Sequence, residues 1–519
     1  MSAVARRADM PVLCSERFPR VAVLGVAFVN FLIHLLIYDH LGFHRDELLY
    51  LALGHHPAAG YQSVPPFIGL LAAGLHGTVG ASLFSVKFLA ALMAIPTTLV
   101  ATATARELGG RRFAMILTAV TLLYLPAFQR MFHLFQPVVF DVFWWSTLAW
   151  LFLRWQRTGR TRDLYLLGVV VGAALLTKYL VLLSVFGLLI GLLIEQHIRP
   201  FQNKHLYGAA GIALLVVLPN LIWQIAYDFP VIDHLSELQE QQLVNVSRGR
   251  FLLDQLMMGG IGSLVLVPGL WQLFREETGR ILAWQIVVVL LILLLLRGKS
   301  YYTLGVFTTL LAAGSVWWER VLTRKAARTI FAASLLVLSV PLLPLGMPVF
   351  RAERMIAYFE KLEQNYGLTP GRTWESGNLH ALPQDYADQL AWPEIAALVK
   401  TAYQKYPGPT TLVYAENYGQ AGAVLQFTDR KEVPHPVSFS DAFRYWNPRR
   451  FEPEIETLIY VNDEMGQDVI DLFEEIEVIG RVENVYAREV GTTVYVCRRP
   501  RSSFNYFWAA IYDRLEISR

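Results

Sequence analysis

The stretch RVAVLGVAFVNFLIHLLIYDHLGFHRDELLYLALG, residues 20–54, decides the class of this protein. Its first part, 20–38, is almost uninterrupted apolar sequence, close to the roughly 20 residues that a helix needs to cross a hydrocarbon core. The chain then presents Arg45, Asp46 and Glu47 at the lip of that span, and GYQSVPPF follows at 60–67. An ionised carboxylate there is costly unless it is paired or used, so the acids mark a working loop and not a simple connector. Leu48, Leu51 and Ala52 make an apolar face and Gly54 offers a stop, which predicts a short helix lying on the membrane. Pro65 and Pro66 then turn the chain back.

The whole composition agrees with a membrane protein. Of 519 residues, 54% are hydrophobic and only 17% charged, with mean hydropathy +0.39. Soluble domains carry about a quarter charged residues. Residues 1–350 hold 27 Lys/Arg against 17 Asp/Glu, whereas 351–519 hold 18 against 25. The change of sign predicts a transmembrane domain over 1–350 and a soluble domain over 351–519. The tail reads as α/β. TLVYA (411–415), TLIYV (457–461) and TTVYV (492–496) are strand-like, and helical patterns lie near 392–405 and 467–476.

Eleven candidate spans follow: 20–38, 83–105, 113–127, 137–153, 164–177, 179–195, 206–225, 251–273, 281–296, 301–318 and 329–347. Lys178 divides a stretch too long for one span, so it is expected at a hairpin tip. The Gly-rich segment 65–80 is too short for a span and is expected in the interface. With the N-terminus inside, nineteen Lys/Arg fall on inner segments and seven on outer ones. The expected orientation is therefore multi-pass with a cytoplasmic N-terminus. An odd number of spans places the first loop and the 351–519 domain outside the cytoplasm. Arg6, Arg7, Arg17 and Arg20 precede an apolar run without a small-residue cleavage site, which reads as a retained first helix. Cys14 and Cys497 form neither a disulfide framework nor a metal motif, and no basic stripe suggests nucleic acid.

Several motifs occur in order: HRDELLYLALG (44–54), GYQSVPPF (60–67), FDVFWW (140–145), LTKY (176–179), PNLIWQ (219–224) and GKSYY (298–302). Together they resemble the bacterial family-39 glycosyltransferases, relatives of the protein O-mannosyltransferases and lipid A aminoarabinose transferases. The tail stretches LPQDYADQLAWPE (382–394) and AENYGQAGAV (415–424) resemble tails of one bacterial subgroup. The resemblance implies the multi-span GT-C fold, a polyprenyl-phosphate-sugar donor, transfer on the outer face and inversion at the anomeric carbon. It also implies Asp46 as general base and Glu47 as a residue positioning the loop or the acceptor. Asp141, expected in an outer loop after Gln136 and Pro137, would lie near the acceptor.

The chemistry fits these residue types independently. A sugar hydroxyl is a poor nucleophile at neutral pH, and a placed carboxylate can take its proton. A departing lipid phosphate needs cations, for which Arg297, Lys299 and Lys178 are the candidates, with Tyr301 and Tyr302 beside them. Arg45 and Arg130 are secondary candidates. Ser63 and Val64 stand where some relatives carry an acid and a lysine, the acid helping to hold a metal in the aminoarabinose type. No divalent cofactor is expected here. His44, His55 and His56 make no ligand spacing and read as structural or interfacial, and Trp144, Trp145, Trp317 and Trp318 as interface anchors. The acceptor remains open between envelope glycan, lipid and protein hydroxyl. The competing function, a transporter or flippase of lipid-linked sugars, would favour charges inside several spans and two related halves; no repeat appears.

Overall fold

The computed structural model describes residues 18–515 apart from 198, 242, 244 and 245. Cys14, Arg6, Arg7 and Arg17 lie outside the described residues. The chain forms two compact units, each built from separated stretches. One comprises Met1–Leu36, Lys87–Leu218 and Gln242–Met347; the other comprises Ile37–Val86, Pro219–Gln241 and Pro348–Arg519. One of these divisions, between Met347 and Pro348, falls near the boundary at 350 expected from charge.

Each of the eleven apolar stretches is largely helical. Among the described residues, four helices are long and apolar enough to cross a membrane by length and composition: Leu83–Glu107, Lys204–Ala226, Arg248–Arg275 and Lys325–Leu345. A fifth is added if Arg112–Leu122 and Pro126–His133, bent by 62°, form one span. Others are short. Arg20–Leu36 has 17 residues and Val181–Ile194 has 14, or about 26 and 21 Å at 1.5 Å per residue against a core of about 30 Å. The expected span 113–127 is interrupted because Leu125, preceding a proline, takes an extended conformation and Pro126 starts the next helix.

Two devices hold the first unit together. Glu319, buried near the end of helix Leu304–Val321, accepts the backbone N–H groups of Arg111, Phe113 and Ala114 at 2.6, 2.9 and 3.1 Å. It thereby satisfies the orphan donors at the start of Arg112–Leu122 and places an anion at its positive end. Helices Ser263–Arg275 and Leu304–Val321 meet backbone to backbone at two glycines. A Cβ on Gly269 would fall 2.0 Å from the Leu310 oxygen, and one on Gly314 would fall 1.8 Å from that of Val265. Small residues are what permit such contact where solvent supplies no hydrophobic drive.

In the second unit, helix Arg45–His55 packs against helix Phe67–Gly77 and against the tail helix Tyr418–Phe427. Residues 47–54 are buried all round, not on one face as expected. Gly54 is not a stop: the helix continues to His55, and a Cβ there would lie 2.7 Å from the Ala72 backbone. The tail carries a four-stranded sheet, β1 (Thr411–Ala415), β2 (Thr457–Asn462), β3 (Phe473–Arg481) and β4 (Thr493–Pro500), in the order β1-β2-β4-β3. β1 and β2 are parallel; β4 is antiparallel to β2 and β3. Helix Trp392–Lys405 contacts β2, β3 and β4. Leu412, Leu458, Tyr460 and Cys497 form a core with Phe504, Trp508 and Tyr512 of helix Phe504–Arg514. The helix expected to reach 476 ends at Leu472, because FEEIEVIGR alternates with a period of two and pairs with β4 as a strand.

Candidate active site

His44 and Glu47 build the start of helix Arg45–His55. The His44 Nδ1 accepts the Asp46 N–H at 3.1 Å, and Glu47 Oε2 accepts the His44 N–H at 2.8 Å. This reciprocal cap fully buries Glu47 and ties it to the loop backbone. Asp46 is left with its side chain one-third exposed, at 33%. Two adjacent acids therefore have different surroundings, as their divergence on a helix leads one to expect.

The tail closes over this loop. The N–H groups of Gly42 and Arg45 donate to the carbonyls of Gln389 and Asp388 at 3.1 and 3.0 Å. Tyr418 Oη donates to Asp46 Oδ1 at 2.9 Å, and the Arg45 guanidinium sits 4.3 Å above the Tyr418 ring. Asp388 Oδ2 is 3.7 Å from His44 Nε2, and both its oxygens are 3.3 Å from Arg488 Nη1. Burial pushes the Asp388 carboxyl up to about 6, with His44, Arg488 and Arg45 pulling it back. His44, Asp385 and Asp388 bring ligand-type atoms within 4.8 Å of one another. Arg488 and Arg45 also act on Asp388, and ion pairs with His44 join loop and tail here.

Other first-loop residues are also placed by the second unit. His55 lies 4.1 Å from the His76 ring, and burial followed by His76 holds its pKa at about 4, so it is neutral. His56 stacks on Trp446 at 4.1 Å. Ser63 faces Asp441, a residue in the left-handed region at φ 51°. Burial raises the Asp441 carboxyl, opposed by Ser63 and His234.

A second cluster belongs to the first unit. Lys178 terminates helix Thr161–Thr177, and the chain turns directly into Val181–Ile194. Its ammonium lies 5.0 Å from the Tyr301 ring and 4.7 Å from the Tyr302 ring. Arg297, at φ 54°, turns the chain out of helix Arg280–Leu295 toward Lys299 and the 3₁₀ turn Ser300–Thr303. That turn is fastened by Ser300 Oγ to Asp254 Oδ2 at 2.8 Å and Thr303 Oγ1 to Gln255 Oε1 at 2.6 Å. Asp141 feels the Lys178 charge and accepts from Trp145 Nε1 at 3.1 Å. It is not in a loop as expected, but buried within helix Pro137–Thr158. Trp145 is buried too, so it is core and not an interface anchor. Arg130 is tied to the Leu345 carbonyl at 2.8 Å.

The dolichyl-phosphate-mannose-protein mannosyltransferase family matches residues 63–223. The lipid A galacturonosyltransferase RgtD of Rhizobium johnstonii is 26% identical over 270 residues, 51% of this chain and 56% of that relative. The chain thus spans about half the length of the curated relative it matches. Two crystal structures of ArnT from Cupriavidus metallidurans, in the apo state and bound to undecaprenyl phosphate, superpose with TM-scores of 0.63 and 0.61. Identity is 14% and 15%, and each comparison covers 92% of this chain and 97% of the other. The chain shares the fold of the ArnT structures, the GT-C fold that its ordered motifs lead one to expect.

Within this GT-C chain the matched segment contains Asp141 and Lys178, while Asp46, Glu47, Arg297, Lys299, Tyr301 and Tyr302 lie outside it. Tyr418, Asp388 and Asp441 were not candidates from sequence. For the first two a signal existed, since LPQDYADQLAWPE and AENYGQAGAV stood out without any chemistry attached.

Proposed function

We propose that this GT-C protein is an integral membrane glycosyltransferase that moves a sugar from a polyprenyl-phosphate-linked donor to a hydroxyl of an envelope glycan, lipid or protein. The observation that carries the reading is the division of labour in the first loop: Glu47 is locked in the helix cap, while Asp46 keeps an accessible carboxylate. The undecaprenyl phosphate of the ArnT structure supports a polyprenyl-phosphate donor, and the name of the curated relative supports sugar transfer to a lipid.

In this mechanism the acceptor hydroxyl attacks the anomeric carbon as the bond from that carbon to the phosphate oxygen breaks. Attack from the opposite face inverts the centre. Asp46 takes the hydroxyl proton, and the lipid phosphate leaves with the electron pair. Lys178, Arg297 and Lys299 stabilise its charge, with Tyr301 and Tyr302 as their neighbours. Glu47 positions the loop, and Asp141 acts on the acceptor side. A phosphate monoester leaving group carries less charge than a pyrophosphate, so Lys and Arg suffice and no divalent ion is required.

The test is transfer by purified full-length protein from undecaprenyl-phosphate-linked galacturonic acid to lipid A, with and without exhaustive EDTA treatment. Transfer that persists in EDTA is the expected result. Activity lost in EDTA and restored by Mg²⁺, Mn²⁺ or Zn²⁺ would overturn the metal-free mechanism. Vesicle transport of intact donor, with neither transfer nor donor hydrolysis, would favour the flippase.

The orientation belongs to the same proposal: Asp46 and the tail face the outside, and the N-terminus the cytoplasm. Cys497 is buried, and burial pushes its thiol up to about 12, so it is inert in the folded protein. An impermeant thiol reagent on intact cells is expected to label Cys497 only after mild unfolding, and never Cys14. Labelling of Cys14 alone would invert the topology.

A further inference from the structure

The tail stretch 415–424 has no part in the chemistry above, yet its Tyr418 reaches the carboxylate that carries that chemistry. We propose that Tyr418 is a positioning residue for Asp46, so that the C-terminal part of the chain completes the catalytic apparatus. The inference rests on Asp46 being the base.

The hydrogen bond from Tyr418 Oη to Asp46 Oδ1, at 2.9 Å, fixes the plane of the carboxylate. It assigns the proton-accepting role to Oδ2. Burial and the Asp46 charge push the Tyr418 phenol well above its ordinary range, so it remains a donor wherever the enzyme works. The other charged groups around the pair are His44 and Arg45 on the loop, and Asp388, Asp441, Arg488 and Glu489 on the tail.

The phenol is held by a packed helix. Asn417 caps helix Tyr418–Phe427 by accepting the Gln420 N–H at 3.0 Å, and Gln420 Nε2 is bound to Glu489 at 2.8 Å. The helix approaches the loop at two glycines, where a Cβ would lie 2.7 Å from Arg45 Cγ at Gly419 and 2.9 Å from Leu48 Cβ at Gly422. Arg45 covers the Tyr418 ring from the loop side. Such support is what lets one hydrogen bond set a carboxylate within the tolerance that catalysis demands.

The experiment is a double-mutant cycle of Tyr418→Phe and Asp46→Asn in the full-length protein, assayed with undecaprenyl-phosphate-linked galacturonic acid and lipid A. Tyr418→Phe keeps the ring and its contact with Arg45, so the melting temperature should match wild type. Its kcat should fall about tenfold with the donor KM unchanged, the scale of one hydrogen bond to a charged group. In the Asp46→Asn background the same change should alter the residual rate less than twofold. Wild-type kcat in Tyr418→Phe, or the same tenfold loss with Asp46 already replaced, overturns the positioning role. Near-normal transfer by Asp46→Asn alone instead overturns the base assignment, and this inference with it.

Discussion

Asp46→Asn is expected to lower transfer by about 10²-fold or more, because a general base typically contributes 10²–10⁴. The substitution is close to isosteric and retains an oxygen to accept from Tyr418 Oη, so the loop-to-tail contact survives. The backbone N–H of residue 46, which His44 Nδ1 accepts, is unchanged as well. Folding should therefore be spared, and the loss should appear in kcat. The measurement is the rate of transfer by purified variant beside its thermal unfolding curve. A folded variant that still turns over near the wild-type rate excludes Asp46 as base and shifts attention to Glu47 or Asp141.

Lys178→Ala is expected to impair use of the lipid donor about 10- to 100-fold, and Lys299→Ala and Arg297→Ala by somewhat less. Each removes a charge-assisted contact to phosphate, typically about 1.5–3 kcal/mol, where 1.4 kcal/mol is a factor of ten. Lys178 is ranked first because two tyrosine rings 4.7 and 5.0 Å away hold its ammonium in place. Arg297 is exposed, which leaves it more screened. Donor saturation curves at fixed acceptor separate the effects: the loss should fall on the donor, with the acceptor KM unaltered. Unchanged donor dependence in all three variants would reduce these cations to interfacial anchors.

Much of the architecture is written locally. Apolar runs bounded by Lys and Arg become helices wherever they occur, because backbone groups in a hydrocarbon core must satisfy one another. The HRDE motif likewise encodes its own cap, since His44 and Glu47 lie at the spacing a first helical turn needs. Other features were illegible for identifiable reasons. The break at Leu125 depends on how a proline is used, and Pro219 and Pro268 lie inside helices without ending them. The strand β3 was hidden because its first residues also fit a helical period, and only pairing with β4 decides between the two. Gly54 read as a stop because a glycine's preference is local, while its contact with Ala72 is not.

The sequence by itself determined that this is a mainly helical membrane chain with an α/β tail, because composition and periodicity act over neighbouring residues; the GT-C type was implied by the resemblance of its ordered motifs. It also offered Asp46, Glu47 and the basic residues near Tyr301 and Tyr302 as candidates for a site. What only the tertiary structure decided is which partners those residues take. Glu47 bonds three residues back along the chain, whereas Asp46 bonds to Tyr418, 372 residues away. A contact across that separation leaves no periodic trace, since it exists only once two helices have packed closely enough for a hydroxyl to meet a carboxylate.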